Sequence, residues 1–124
     1  MSGEPNMEDL KSKVSFGIKF WLTFENKSIL GSGWHKLLEF IENNEGGSLT
    51  EAAEELGYSY KYAWNILKRI EKRTGRSPVE TKKGGHGGGG SVKLTNWGKY
   101  LHERFTELDK EITKVNKKLR QKNT

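Results

Sequence analysis

The stretch from Gly47 to Gly75 constrains this chain more than any other. Its punctuation predicts two helices joined by a tight turn. Ser48 is a good N-cap, and Glu51 three residues later completes a capping box. Ala52, Ala53 and Leu56 form the apolar side of a short first helix, and Gly57 supplies the stop. Ser59 caps a second helix. Ala63, Ile66, Leu67 and Ile70 share one of its faces, and Gly75 ends it. A short helix, a turn after a glycine and a longer basic helix make a helix-turn-helix pattern, whose second helix enters a DNA major groove. A helical hairpin built only for packing would carry the same caps. The charge argues against it. Between Lys36 and Leu56 the only base is Lys36, against Glu39, Glu42, Glu45, Glu51, Glu54 and Glu55. Between Lys61 and Arg76, Lys61, Lys68, Arg69, Lys72, Arg73 and Arg76 face the single acid Glu71. A helix that meets phosphates has reason to be charged this way.

The flanking sequence supplies what such a motif needs. Residues 1–13 are polar with no apolar period and read as a loose arm. Phe16, Ile18, Phe20, Leu22 and Phe24 alternate with Gly17, Lys19, Trp21, Thr23 and Glu25, which predicts a half-buried strand. Glu25-Asn26-Lys27 reads as a turn, and Ser28-Ile29-Leu30 as a short returning strand. Trp21 lies opposite the phenylalanines and is either capped by another element or part of a subunit contact. Ser32 is expected to cap a helix from about Gly33 to Asn44, with Trp34, Leu37, Leu38 and Ile41 on one face. This is the third helix that buries the motif's apolar faces.

After Gly75, Val79-Glu80-Thr81-Lys82 and Val92-Lys93-Leu94-Thr95 flank the glycine run 84–90 and read as a hairpin. A hairpin directly after a recognition helix is the wing of a winged helix. The run formally contains G-x-G-x-x-G, but a strand follows where a dinucleotide site needs a helix. Thr95 or Asn96 caps a last helix. On it Leu101, Phe105, Leu108, Ile112, Val115 and Leu119 are spaced four, three, four, three, four, a heptad seam. A lone surface helix wants a broader stripe, so pairing with a second copy is expected, chiefly beyond Phe105. The bland alternative is packing on its own domain.

The expected fold is mainly α with small β. It comprises a flexible arm (1–13), a winged helix-turn-helix domain (14–96, recognition helix 59–74, wing 79–95) and a C-terminal dimerisation helix with a basic tail (97–124). The expected DNA-binding residues are Ser48 and Thr50 at the first helix's start, Ser59, Tyr60, Lys61, Tyr62, Asn65 and Lys68 on the second helix, and Lys82, Lys83 and His86 on the wing. Asn suits an adenine edge, Lys suits guanine or phosphate, and helix-opening hydroxyls and amides grip phosphate. Trp64 stands evenly between core and contact. The dimer contacts are Leu101, Phe105, Leu108, Ile112, Val115 and Leu119.

Composition supports a polyanionic partner. The 124 residues carry a formal charge of +6, the sequence pI is near 9.5, and only 32% are hydrophobic, so the core is small. Cysteine is absent, which excludes disulfides and thiolate metal sites. His35, His86 and His102 are scattered in sequence, so no metal and no cofactor are expected. No catalytic constellation is present, so the chain is not expected to be an enzyme. No membrane span or signal peptide is read, so the expected location is cytoplasmic and nucleoid-associated.

The Gly47–Gly57 stretch looks like the helix-turn-helix opening of LysR-type regulators. Ser59-Tyr-Lys-Tyr-Ala-Trp64, the glycine wing from Lys83 to Gly90 and Leu94-Thr-Asn-Trp-Gly98 resemble more specifically the N-terminal domain of the ModE family of molybdate-responsive regulators. The leading strand and Leu30-Gly-Ser-Gly33 fit that family too, and the likeness spans about Phe16 to Leu108. It implies a dimeric winged helix that binds double-stranded DNA and regulates transcription, with Ser59, Tyr60 and Lys61 at the DNA-facing start of the recognition helix. The family's molybdate-binding region has no counterpart before Thr124, so no small-molecule effector domain is expected and molybdate sensing is not carried over. Two rivals remain. One is an architectural, chromatin-type DNA binder with little sequence preference. The other is a protein-interaction adaptor.

Overall fold

The computed structural model describes residues 3–83 and 90–121. In chain order these form α1 (Met7–Lys13), β1 (Trp21–Phe24), β2 (Lys27–Gly31), α2 (Ser32–Asn43), α3 (Leu49–Leu56), α4 (Tyr60–Thr74), β3 (Val79–Lys82), β4 (Ser91–Leu94) and α5 (Asn96–Gln121). The two strand pairs are separate antiparallel hairpins.

The arm is not all loose. Asn6 accepts a hydrogen bond from the Glu8 amide and caps α1, whose first turn carries Glu8 and Asp9 and whose last turn carries Lys11 and Lys13. Those end effects are local, which is why an element with no buried residue still forms. The expected strand is shortened to Trp21–Phe24, because only these residues find a partner, on β2. Glu25 and Asn26 close that hairpin at φ 47° and 68°. A bulge lies between Leu22 and Thr23, so that Leu22 faces Leu30 and Thr23 faces Ser28. The extra residue is Ile29. Adjacent Ile29 and Leu30 are thereby both buried, where strict alternation would have turned one outward.

Helix α2 starts one residue earlier than expected. Its cap is Gly31, still part of the strand, and Ser32 makes no capping bond from that position. The other caps are as the sequence predicts. Ser48 Oγ accepts from the Glu51 amide at 3.1 Å, and Ser59 Oγ from the Tyr62 amide at 3.0 Å. Gly57, at φ 72°, lets its own amide and that of Tyr58 turn back onto the end of α3. Thr95 caps α5 through its hydroxyl, which accepts from the Gly98 amide at 3.1 Å.

Leu37, Leu38 and Ile41 of α2, Ala52 and Ala53 of α3, and Ala63, Ile66, Leu67 and Ile70 of α4 meet in the centre, with Ile29 and Leu30 from β2. The β3–β4 hairpin closes one end with Val79, Val92 and Leu94. Helix α5 enters through its first three turns. A Cβ on Gly98 would stand 2.0 Å from the Pro78 carbonyl oxygen, so only glycine lets α5 lie against the chain entering β3. Leu101 and Phe105 are buried in this same domain, which removes them from any subunit contact. The distal seam differs: Leu108, Ile112 and Leu119 are half-buried, and Val115 is 46% exposed.

The histidines are not all scattered. His35 Nε2 lies 2.8 Å from His102 Nδ1, joining α2 to α5 across 67 positions of sequence. Phe105 stacks on His35 and Phe20 stacks on Phe105, so the pair ends an aromatic column. Burial, then the neighbouring His102, hold His35 below its ordinary pKa of 6.5. Among the described residues, no three His, Cys, Asp or Glu side chains gather to hold a metal ion, and no helix is long and apolar enough to cross a membrane.

Candidate nucleic-acid interface

Helical periodicity sorts the side chains of α4 around its buried stripe. Lys61, Asn65, Lys68 and Lys72 lie opposite that stripe as an exposed ridge. Tyr60 and Trp64 lean towards the β3–β4 hairpin. Tyr62, Arg69 and Arg73 lean the other way, towards α2 and the β1–β2 hairpin. The expected ridge stops at Lys68. Lys72 extends it by one turn, and its i+4 spacing from Lys68 was the available signal.

An open cleft of about 470 Å³ runs beside the ridge. Its walls come from three elements: Ser48 and Thr50 at the start of α3, Tyr60 and Trp64 of α4, and Thr81, Lys82, Lys83 and Ser91 of the hairpin. Five expected contact residues, Ser48, Thr50, Tyr60, Lys82 and Lys83, therefore share one surface. One bond fixes how the walls meet: the Val92 amide donates to the Gly47 carbonyl at 2.9 Å, tying β4 to the loop that opens α3. The hairpin itself is held in register by Val79 opposite Leu94 and Lys82 opposite Ser91. His86 lies outside the described residues.

Not every expected contact stands free. Tyr62 is turned out of the cleft. Its hydroxyl accepts from Trp34 Nε1 at 3.3 Å, and its ring meets Tyr58 edge-on at 5.0 Å. Tyr58 in turn donates to the Gly33 carbonyl at 2.9 Å, and burial, aided by Tyr62, pushes its phenol pKa upward, so it stays a neutral donor. These three aromatics brace the start of α4 against α2. Lys68 is tethered as well, 3.1 Å from Glu71 and 4.8 Å above the Trp64 ring. Trp64 packs against the core and also lines the cleft. Ser48 and Ser59 spend one acceptor each on capping, which leaves their hydroxyl protons to donate outward. Lys61 and Asn65 are exposed. Thr81 and Ser91 are cleft residues that periodicity alone could not assign, since the hairpin's register decides which strand residues meet α4.

No family model matches the chain. Over 62 residues, half of its length, it is 40% identical to the DNA-binding transcriptional dual regulator ModE of Escherichia coli (strain K12), and covers 23% of that protein. Over 45 residues it is 44% identical to the molybdenum transport protein ModE of Herbaspirillum seropedicae, covering 36% of this chain and 17% of that one. The chain thus spans about a quarter or less of the curated relatives it matches. Among solved structures, the PcaV transcriptional regulator from Streptomyces coelicolor superposes with TM-score 0.60 at 16% identity, over 72% of this chain and 62% of that one. The zinc-responsive MarR family member ZitR of Lactococcus lactis gives TM-score 0.59 at 15% identity, over 93% and 77%. The MepR–DNA complex of S. aureus gives 0.53 at 16% identity, over 73% of each. At such identities the likeness concerns the backbone, and it agrees with the element order above. The chain is a winged helix-turn-helix with a long C-terminal helix.

Proposed function

We propose that this chain is a DNA-binding transcriptional regulator that acts as a homodimer on double-stranded DNA. The observation that carries the reading is the joining of α3, α4 and the wing hairpin into one cleft, next to a lysine ridge that faces solvent. In this reading α4 enters the major groove. Lys61 and Asn65 reach base edges, Tyr60 and Lys68 reach base or phosphate, and Ser48, Thr50 and Ser59 hold backbone phosphates. Lys82, Lys83 and His86 follow the backbone beside the groove. Residues 14–96 form the DNA-binding unit, and the last helix doubles it through Leu108, Ile112, Val115 and Leu119.

The likeness to ModE regulators supports transcriptional control, and a place on the nucleoid follows from it. The region of likeness supports a way of gripping DNA, and molybdate sensing is not carried over from the relatives. The test is selection of bound genomic fragments followed by footprinting. Discrete, two-fold symmetric sites about one helical turn between half-sites are expected. Lys61→Ala should erase discrimination between sites. Uniform protection, with Lys61→Ala weakening all duplexes evenly, would replace this reading with that of an architectural coat.

A further inference from the structure

On the side of α4 away from the wing, a second basic surface has no assigned role. Lys27 and Ser28 of the β1–β2 hairpin and Arg69, Lys72 and Arg73 of α4 line an open cleft of about 700 Å³. Four cations from two elements meet there with no acid in the lining. The ion pairs among the described residues are Lys11–Glu8, Lys68–Glu71, Lys93–Glu80, Arg104–Glu107 and Lys114–Glu111, and none involves these four. Two of the four are held in place by uncharged groups. Arg69 lies over the Trp34 ring at 5.3 Å, and Arg73 donates to the Ser28 carbonyl. Fixed guanidinium groups with their charge uncompensated are the arrangement that takes an oxyanion. The C-terminal end of a helix favours cations, which accounts for Lys72 and Arg73 on α4. It does not account for Lys27, which a separate hairpin brings to the same cleft.

We propose that this hairpin–helix cradle is an anion site for a phosphate group, supplied by the backbone of a bound duplex or by a free phosphate. The backbone source rests on the DNA-binding reading. It would give α4 a contact on each flank, the wing on one side and the β1–β2 hairpin on the other.

Lys27→Gln is the first variant, because Lys27 is exposed and stands off the α4 ridge; Lys27→Gln/Arg69→Gln, which also spares the ridge, is the second. Binding of a mixed-sequence duplex is followed by fluorescence anisotropy across a salt series. Binding of inorganic phosphate is followed by calorimetry at low ionic strength, and circular dichroism checks the fold. A backbone source makes the slope of log affinity against log salt shallower by about 0.9 for the single variant and about 1.8 for the double. A free-phosphate source leaves the slope unchanged, while the wild type binds phosphate and the double variant does not. An unchanged slope with no phosphate binding to the wild type overturns the proposal. If the wild type binds no duplex at any salt, the DNA-binding reading fails, and the phosphate titration alone decides the cradle.

Discussion

The two halves of α5 carry one pattern and meet two fates. From Asn96 to Phe105 the heptad stripe is consumed by the chain's own core: Leu101 and Phe105 are 3% and 2% exposed. From Leu108 to Leu119 the same spacing continues past the end of that core, and Val115 is 46% exposed. Both halves carry an apolar stripe, and such a stripe favours being covered. Only the first shows what covers it. Periodicity announces that a face will be buried, and the length of the domain decides by whom.

The comparison breaks most visibly in stability. Phe105→Ala should cost about 3–5 kcal/mol in chemical denaturation, because it empties the column between Phe20 and His35. Ile112→Ala at low protein concentration should cost under about 1 kcal/mol. Equal costs would mean that the distal half is packed as tightly as the proximal one. A subtler contrast lies in mass. Ile112→Glu with Val115→Glu should yield monomer in sedimentation with an unchanged thermal midpoint for the isolated domain, whereas a wild type that is already monomeric at all concentrations would remove the second copy from the seam.

Proton uptake separates the halves next. The folded pKa of His35 lies below 6.5 through burial, so the unfolded chain binds the proton first as pH falls. Stability is therefore complete above about 6.5 and is lost as pH drops from there through the lowered folded value. The thermal midpoint should fall in that window for the wild type and stay flatter for His35→Gln. The distal half holds no histidine, and its one influence on His35 is the Asp109 charge, which opposes the lowering. Smallest of all, Glu111→Gln removes an exposed pair with Lys114 and should change stability by about 0.5 kcal/mol or less.

What was legible in the sequence was local. Ser48, Ser59, Gly57 and Gly75 mark helix ends because caps are satisfied within a few residues, and each holds in the structure. The wing could be placed because its two strands flank a glycine run. The errors have physical causes of three kinds. α1 carries no buried face, so periodicity gave it no signal. The segment before Trp21 alternates as a strand does, but alternation supplies no hydrogen-bonding partner. The His35–His102 pair and the Lys27–Arg73 cradle unite residues 67 and 46 positions apart, a juxtaposition fixed only by tertiary packing. The candidate site fared similarly. The residues that share the cleft were nameable one by one, while the turning of Tyr62 towards Trp34 was not, since it depends on where α2 lies.

The indole of Trp97 donates to Thr74 Oγ1 at 3.2 Å, in the last turn of α4 and the first of α5. With 26 residues, α5 is a rod of roughly 39 Å. It is pinned near one end, to the tail of the helix that faces the cleft. A rod so mounted is a lever with a very short inner arm. A swing of several ångströms at Leu119 arrives at Thr74 as a small fraction of that distance, which is the scale on which a side chain gains or loses a hydrogen bond. Leu101, His102 and Phe105 hold the first three turns as well, so any displacement of the far end would reach Thr74 much reduced.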